Sequence, residues 1–484
     1  MDTIAATIED DLAAVRGLIS PRFNPPPTPL GSRLIHAGAL LLWVVLLGRA
    51  FLGGGVFAWS AGIAYILYDT ALLLFVFAQT LGLRHGPAPI EPTGLPPSAT
   101  IIVAAHNEAA SLPVTLAALF AQSDPADVIL IADDGSTDTT ASLLEREYGL
   151  VAVPGAVSRP SALYPTLRWL RLPRGGKAQA LNVACAMIDT DLVLTVDADT
   201  LLDPPALRAM RAAFADDPDL VAATGVLKPL CGPSLRGRLL QWFQTYEYVR
   251  NFLSRYAWMR ADGLLLISGA FACYRRRALL AVGGFDPDCL VEDYELTHRL
   301  RDHAGRTGQT WHTAVIGAAH ARTDAPSTPG AFLRQRRRWF GGFLQTQLWY
   351  RHMVGNPRYG HTGTAMLPVK AIDTLQPLYG LTGAVLLVVY LVEGRFGLVG
   401  PVLVIIAAKI ALDVAFHLWS LRLYRRWVGP NAALAVGPAL LASLLEPFSF
   451  QLLRHFGAAL GWVSFATRTK TWQVQQRLGV GSVR

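Results

Sequence analysis

Five apolar runs limit what this 484-residue chain can fold into more than any other feature of the sequence. A helix needs ~20 apolar residues to cross the hydrocarbon core of a bilayer, and each of the runs reaches that length. Two precede a long central segment and three follow it, at Leu34–Leu52, Val56–Leu83, Met366–Val392, Leu398–Leu418 and Ala432–Leu453. The sequence therefore predicts a protein embedded in a membrane, with another kind of domain inserted between its spans.

The composition agrees with a chain that is partly membrane-spanning and partly in contact with water. Hydrophobic residues make up 52% of it and charged residues only 16%, a balance between those of soluble and purely membrane proteins. The excess of 43 Lys+Arg over 35 Asp+Glu suits a membrane surface or a phosphate-bearing substrate. No Lys/Arg tract of the nucleic-acid-binding kind is present, so no nucleic acid is expected as a partner.

The basic residues predict how the chain lies in the membrane, because cytoplasmic loops carry an excess of Lys and Arg. The loop "RLYRRW" (422–427) is therefore expected to be cytoplasmic. Two spans within 34–83 then place the N-terminal segment, 1–33, and the central segment, 84–330, on the same cytoplasmic side. The acidic opening does not resemble a signal peptide. We expect a multi-pass protein of the inner (plasma) membrane.

After the central segment, the chain is first amphipathic and then apolar again. Residues 331–365 are basic and rich in Trp and Tyr, which predicts helices at the membrane interface. Residues 366–468 are expected to form three or four spans. We expect the basic tail at 469–484 to be cytoplasmic, because a short sixth span, or a re-entrant helix broken at Pro447, would keep it on that side. Five full spans would place it outside.

The central segment has the alternating pattern of a parallel sheet, with strands such as "ATIIVAAH", "DVILIADD" and "DLVLTVDAD" separated by helical stretches. Ligands of such sheets bind at the carboxyl ends of the strands. Asp133 and Asp134 follow one strand, and Asp197 and Asp199 follow another. The second pair could hold Mg²⁺ or Mn²⁺ on a diphosphate, although both pairs also suit ordinary turns.

Three further segments carry groups suited to chemistry. In "RGGKAQALN", two glycines let the backbone and the Lys177 ammonium approach a phosphate, unless the segment is a simple helix start. In "VEDYELTHRL", Glu292 and Asp293 precede a helical stretch, where a carboxylate is either a cap or a general base. "RQRRRW" (334–339) combines four arginines with a tryptophan, either as a solvated basic face or as an anion site.

Ionisable residues also lie within the predicted spans, where charges seldom face lipid. Lys409 and Asp413 are spaced to neutralise each other on one helix, and Asp69 and Asp373 lie in other apolar runs. The alternative to mutual neutralisation is that these residues face a polar channel.

Taken together and in their order, the motifs resemble those of membrane-embedded, processive family-2 glycosyltransferases, the cellulose, hyaluronan, chitin and poly-N-acetylglucosamine synthases. The resemblance covers roughly 95–350 and rests on "AAHNEA" (104–109), "DDGSTD", "GGKAQALN", "DAD", "SGAFACYRRRAL" (268–279), "GGFDPDCLVEDYELTHRL" and "RQRRRW". It implies an α/β GT-A (Rossmann-like) cytosolic domain between α-helical transmembrane segments, with amphipathic interface helices.

The resemblance also implies roles for individual residues. On the donor side, contacts to a UDP-sugar and its Mg²⁺ or Mn²⁺ are implied for Asn107, Glu108, Asp134, Lys177, Asp197, Asp199 and Arg338, with Asp197 and Asp199 as metal ligands. On the acceptor side, Asp293 is implied as the catalytic base beside Glu292, and Gln335 and Trp339 as acceptor contacts. One departure is Val291, where the family often has Thr.

The implied reaction is an inverting transfer that makes a β-linked polysaccharide, and a β-glucan-like polymer is the expected product. The protein is expected to pass this polymer through its own transmembrane channel. UDP-glucose is the expected donor and UDP-N-acetylglucosamine the second choice. Two alternatives are transfer of one sugar to a membrane lipid and a catalytically silent scaffold. The presence of Asp197, Asp199, Asp293 and Gln335 argues against the scaffold.

Overall fold

The computed structural model describes residues 3–52, 55–85, 95–429 and 434–467. The basic tail that the sequence analysis places in the cytoplasm, 469–484, lies outside these ranges. The described chain consists of a central domain built on one mixed sheet and a set of long apolar helices before and after it.

The sheet of the central domain has eight strands in the order β3-β2-β1-β4-β7-β6-β8-β5. Their bounds are β1 Ala99–Ala105, β2 Val128–Asp134, β3 Leu167–Leu172, β4 Leu192–Asp197, β5 Thr200–Leu202, β6 Leu220–Leu230, β7 Phe271–Arg275 and β8 His312–Asp324. Strand β1 lies between β2 and β4, and Ile101, Ile102 and Val103 within it are fully buried. Both faces of a parallel sheet are covered, and burial of one such side chain contributes ~1.5–3 kcal/mol.

The predicted parallel pairing is confirmed for β1 to β4. In the other half of the sheet, β7 runs antiparallel between β4 and β6, and β5 runs antiparallel to β8. The alternation of strands and helices did not predict these two directions, because hydrophobic periodicity specifies which face of a strand is buried and not which way the strand runs.

The helices of the central domain surround the sheet and lead toward the membrane part. Their bounds are α4 Leu112–Phe120, α5 Thr140–Tyr148, α6 Lys177–Met187, α7 Ala206–Asp216, α8 Leu235–Arg260, α9 Arg276–Ala281, α10 Glu292–Thr307 and α11 Pro329–Trp349. An N-terminal helix, α1 (Thr3–Ile19), also packs against this domain through α6.

Four helical stretches of the described chain are long and apolar enough to cross a membrane, at Leu30–Leu52, Val56–His85, Thr362–Val392 and Phe396–Val428. Within them lie the helices α2 Leu30–Leu52, α3 Ser60–Thr80, α12 Leu367–Asp373, α13 Gln376–Val392 and α14 Phe396–Val428. The third stretch begins with a π-helical turn at Thr362–Met366. Each stretch matches one of the first four apolar runs of the sequence.

The fifth apolar run is not a single straight helix. Val436–Phe448, which contains α15 (Val436–Leu445), and α16 (Phe450–Ala466) meet at an angle of 49°. The break follows Pro447, the residue expected to interrupt a re-entrant helix, since proline removes a helical hydrogen bond and clashes with the preceding turn. Helix α16 packs along α11, and so connects the membrane part to the segment that carries "RQRRRW".

Candidate active site

A cavity of ≈ 1140 Å³ lies where the carboxyl ends of β1, β2 and β4 meet, and it extends to the apolar helices. The site residues implied by the resemblance all line it: Asn107, Glu108, Asp134, Lys177, Asp197, Asp199, Glu292, Asp293, Gln335, Arg338 and Trp339. The first of these residues, Asn107, and the last, Trp339, are far apart in the sequence. The fold therefore brings them together in one cavity. Asp133, the other carboxylate at the end of β2, is fully buried outside the cavity wall and accepts from the backbone N–H of Ser136 at 2.9 Å.

The loops after β1 and β2 are joined by Asn107. Its side-chain oxygen accepts hydrogen bonds from the backbone N–H groups of Thr137 (2.8 Å) and Asp138 (3.1 Å). Its own backbone has a φ of 58°, a left-handed conformation that asparagine tolerates better than most residues. Asn107 therefore fixes the shape of the cavity edge where the donor nucleotide is expected.

Asp134 is buried and holds the loop that precedes Lys177. Its Oδ1 accepts from the backbone N–H groups of Gly175 (2.7 Å) and Gly176 (2.9 Å), and its Oδ2 pairs with the Arg174 guanidinium. This contact of Arg174 was not predicted, because nothing in "RGGK" indicates that its arginine folds back onto the preceding motif. The carboxylate of Asp134 therefore holds the glycine loop in front of Lys177 in place.

Lys177 connects the two carboxylate motifs. Its Nζ lies 2.5 Å from Asp197 Oδ1 and 3.7 Å from Glu292 Oε1. Burial opposes the charged form, but Asp197 and Glu292 together raise the pKa of Lys177 above its ordinary value. The lysine is therefore a fixed positive charge at neutral pH, held between the expected metal motif and the expected base motif.

Asp197 ends β4, and Asp199 follows two residues later on the same cavity wall. Within the residues that the structure describes, there is no cluster of three or more His, Cys, Asp or Glu side chains able to hold a metal. Two carboxylates nevertheless fit Mg²⁺ or Mn²⁺ when diphosphate oxygens complete the shell, because hard cations prefer oxygen ligands and often bind through one or two carboxylates plus phosphates.

Asp293 lies in the first turn of α10 with both carboxylate oxygens held. Oδ2 accepts from the backbone N–H of Gly269 (2.6 Å) and Oδ1 from that of Tyr294 (2.8 Å). Burial first, and the neighbouring Glu292 second, raise the pKa of Asp293 above its ordinary value, although these hydrogen bonds oppose the shift. A carboxylate with a raised pKa is a stronger base, as proton abstraction requires.

Gly269 is a site residue that was not singled out from the sequence, although the motif "SGAF" contains it. A Cβ at this position would lie 2.9 Å from Asp293 Oδ2. The close approach of the backbone to the carboxylate therefore requires glycine here.

The four arginines of "RQRRRW" have different surroundings on α11. Arg336 is buried, donates to Glu247 Oε2 at 2.7 Å and packs 4.5 Å from the centre of the Trp339 ring. Arg338 donates to the carbonyl of Leu290 at 3.1 Å. Among the described residues that form the cavity wall, Arg336 and Arg338 are the only two of the four arginines. As a part of an anion site, the motif thus offers Arg338, since Arg336 is paired with Glu247 within the protein.

The remaining two arginines face elsewhere: Arg334 is exposed, and Arg337 donates to Ser464 of α16. Gln335 lines the cavity, and its Oε1 is buried without a hydrogen-bond partner among the described residues. A buried, unpaired acceptor favours a ligand that brings a hydroxyl or amide donor.

The membrane end of the cavity is lined by paired charges. Lys409 on α14 lies 2.7 Å from Asp69 Oδ2 on α3 and also pairs with Asp413, and both carboxylates line the cavity. Asp373, which likewise lines it, accepts from the Tyr68 hydroxyl at 2.5 Å and pairs with Lys370 at 2.8 Å. The two interpretations of these residues both hold: the charges neutralise one another and they border a polar cavity.

The Rossmann-like sheet with mixed strands has the GT-A glycosyltransferase fold, and it is set among apolar helices that fit transmembrane segments. Strand-end carboxylates, Lys177 and the partly buried Asp293 lie together in its cavity. The chain belongs to the glycosyltransferase like family 2, whose model matches residues 96–342.

Curated relatives and a solved structure agree with this assignment. The chain is 28% identical over 246 residues to a poly-beta-1,6-N-acetyl-D-glucosamine synthase of Staphylococcus aureus, and 27% identical over 250 residues to that of Staphylococcus epidermidis. Each match covers 50% of this chain and 54% of the relative, so the chain spans about half the length of the curated relatives it matches.

Among solved structures, a mannosyltransferase from Pyrobaculum calidifontis in complex with GDP-Man and Mn²⁺ matches with a TM-score of 0.54 and 21% identity. The match covers 81% of this chain and 99% of that one. At this identity the likeness shows a shared fold.

Proposed function

We propose that this protein is a membrane-embedded, inverting glycosyltransferase that extends a β-linked polysaccharide from a UDP-sugar and passes the product into its own helical membrane part. The observation that carries the proposal is the continuity of one cavity. Its walls include Lys177 and Asp197 at the strand ends, Asp293 at the start of α10, and Asp69 and Asp413 on the apolar helices α3 and α14.

The proton and the new bond are handled on the acceptor side. The acceptor hydroxyl gives its proton to the Asp293 carboxylate while its oxygen forms a bond to the anomeric carbon of the donor. The bond from that carbon to the diphosphate oxygen breaks, and UDP leaves with the electron pair. A single displacement inverts the anomeric centre, so an α-linked donor gives a β-linkage.

The leaving group is handled on the donor side. The Lys177 ammonium and the Arg338 guanidinium offer positive charge to the departing diphosphate. Asp197 and Asp199 would hold a bound Mg²⁺ or Mn²⁺, which supplies further positive charge to the diphosphate. Asp134 contributes by ordering the glycine loop in front of Lys177.

The sugar and the location are part of the same proposal. UDP-glucose remains the donor predicted from the sequence, and UDP-N-acetylglucosamine gains support from the names of the curated relatives. The protein is proposed to lie in the inner (plasma) membrane, with the central domain in the cytoplasm where nucleotide sugars are made.

Incubation of the purified full chain in lipid nanodiscs with each UDP-sugar and Mn²⁺ tests the proposal. Sizing and linkage analysis of the product should show a β-linked polymer that lengthens with time, and EDTA should stop its formation. A product that is only a singly glycosylated lipid would establish the lipid transferase instead. Full activity in excess EDTA would contradict the metal assignment to Asp197 and Asp199.

A further inference from the structure

Helix α8 presents one polar and aromatic face to the cavity, although no motif of the sequence falls on it. Tyr248, Asn251, Arg255 and Trp258 all line the cavity. Their spacing of three, four and three residues places them on one side of a helix. Aromatic faces beside amide and guanidinium donors suit a saccharide, which offers C–H faces and many oxygen acceptors.

Arg255 is the central residue of this face. Its Nε and Nη1 atoms are buried and have no hydrogen-bond partner among the described residues. Its guanidinium packs 4.4 Å from the centre of the Phe252 ring. No ion pair is formed by it within the described chain, in contrast to Lys177, which pairs with Asp197, and Arg336, which pairs with Glu247.

The lack of hydrogen-bond partners for Arg255 destabilises the folded protein when no ligand is bound. Burial lowers the pKa of Arg255 to about 10, yet a guanidinium stays protonated at neutral pH. The charge is therefore retained in a site that compensates it poorly, and unpaired buried donors are unfavourable. A ligand that brings oxygen acceptors to Nε and Nη1 would relieve this cost.

The surroundings of Arg255 place it on the acceptor side of the site. The charge of the Asp293 carboxylate acts on it, and its own charge acts on Lys370 of α12. Helix α8 packs against the apolar helix α3. Arg255 thus lies between the expected base, Asp293, and the membrane part. The donor phosphates are expected elsewhere, at Lys177 at the start of α6.

We propose that Arg255, flanked by Tyr248, Asn251 and Trp258, binds the hydroxyl or carbonyl oxygens of the acceptor saccharide on the membrane side of Asp293. The proposal rests on the proposed function and adds a binding residue to it. The ligand class is a neutral, oxygen-rich sugar chain that leaves the site toward the apolar helices.

The test compares Arg255→Gln and Arg255→Lys with a matched control, Arg260→Gln. Arg260 lies on the same helix, is exposed and is not part of the cavity wall that the described residues form. The probes are hexasaccharides of β-linked glucose and of β-linked N-acetylglucosamine, used as primers with the purified full chain. The measurements are KM for the primer, affinity for UDP, and Tm.

Arg255→Gln is expected to raise the primer KM by roughly 10- to 100-fold, the loss typical of hydrogen bonds from a charged group. Arg255→Lys should fall between it and wild type, because lysine keeps the charge and loses the planar fork. UDP affinity should not change, and Arg260→Gln should match wild type. Tm of Arg255→Gln should equal or exceed that of wild type, since a poorly compensated buried charge is removed.

Three results would overturn the inference. A primer KM unchanged in Arg255→Gln, while wild type elongates the primers, would refute the role of Arg255 and leave the proposed function intact. Weaker UDP binding with unchanged primer KM would assign Arg255 to the donor instead. If wild type elongates neither primer and forms no polymer, the proposed function fails, and this inference with it.

Discussion

Asp293 shows how the site depends on single side chains whose charges are set by their neighbours. Asp293→Asn keeps the shape of the side chain and removes its basicity. Loss of a general base lowers turnover by roughly 10²–10⁴-fold, whereas UDP affinity should remain near wild type because the role proposed for Asp293 is on the acceptor side. Steady-state kinetics and UDP titration measure the two effects. Turnover like that of wild type would remove Asp293 from the mechanism.

The pH dependence of activity provides a second test at this scale. Because burial and Glu292 raise the pKa of Asp293, the unprotonated base should be lost at a higher pH than the ~3.9 of an ordinary aspartate. Activity should therefore fall as the pH drops through this raised value. Glu292→Gln removes a like charge, so the acid limb of kcat/KM should move to lower pH.

The matched control for that shift is Glu145→Gln, on the exposed surface of α5. It removes one negative charge from the protein without touching the cavity wall formed by the described residues. An acid limb that moves equally in both variants would show a general charge effect and would refute the coupling of Glu292 to Asp293.

The sequence motifs predicted eleven of the residues that line the cavity, and they missed others that lie beside them. Arg174 and Gly269 lie inside quoted motifs and Arg255 lies in none, but neither periodicity nor spacing singles out any of the three. Their importance comes from contacts across the fold: Arg174 returns to Asp134, Gly269 donates its N–H to Asp293, and Arg255 is isolated. Buried guanidinium nitrogens without a hydrogen-bond partner, as in Arg255, can be recognised only once the packing is known.

Among the elements, the N-terminal segment holds the loop that precedes Asp293, the proposed base. Arg22 Nη1 contacts both carboxylate oxygens of Asp286, at 2.9 and 2.8 Å, and its Nη2 reaches Asp288 at 2.6 Å. Arg16 of α1 donates to the carbonyl of Gly283 at 2.7 Å. These contacts hold the start of the loop that runs from Gly283 to Glu292.

Arg22→Gln should therefore lower kcat more than it changes UDP affinity, because the loop positions Asp293 and not the donor. A small misplacement of a catalytic group can cost up to roughly 100-fold in rate. Arg22→Lys should restore part of the loss. A matched control is Arg33→Gln, an exposed arginine of α2. If kcat of Arg22→Gln stays at the wild-type value while Tm falls, the contact serves stability alone.

The acidic character of this segment does not predict that α1 docks on the domain. The reason is distance along the chain: the partners of Arg22 lie 264 and 266 residues away. Local patterns were sufficient for the apolar runs and for the parallel half of the sheet, where each element carries its own signal. Pairing between distant segments carries none.

In the molecule as a whole, contacts between helix ends show which ends of the apolar helices lie on the same face of the membrane part. Arg426, near the end of α14, donates to the carbonyl of Arg84 at the end of the second span. On the opposite face, the Tyr390 hydroxyl donates to the carbonyls of Ala50 and Ala58, at 3.3 and 3.2 Å. The basic ends thus lie together on one face, and Ala50 near the end of the first span lies with Ala58 and Tyr390 on the other.

This arrangement predicts the topology that impermeant thiol labelling of sealed cells should show. The cysteines Cys185, Cys231, Cys273 and Cys289 are all buried, so the background should be low. Glu393→Cys, in the exposed turn between α13 and α14, should react from outside.

Glu145→Cys, on the exposed face of α5 in the central domain, is the matched partner and should react only after the cells are permeabilised. The reason is that the central domain and the basic ends share one face, and the excess of Lys and Arg on that face predicts that it lies in the cytoplasm. The reverse labelling pattern would invert the topology. It would also place the cavity away from the cytoplasmic nucleotide sugars and so contradict the proposed direction of transport.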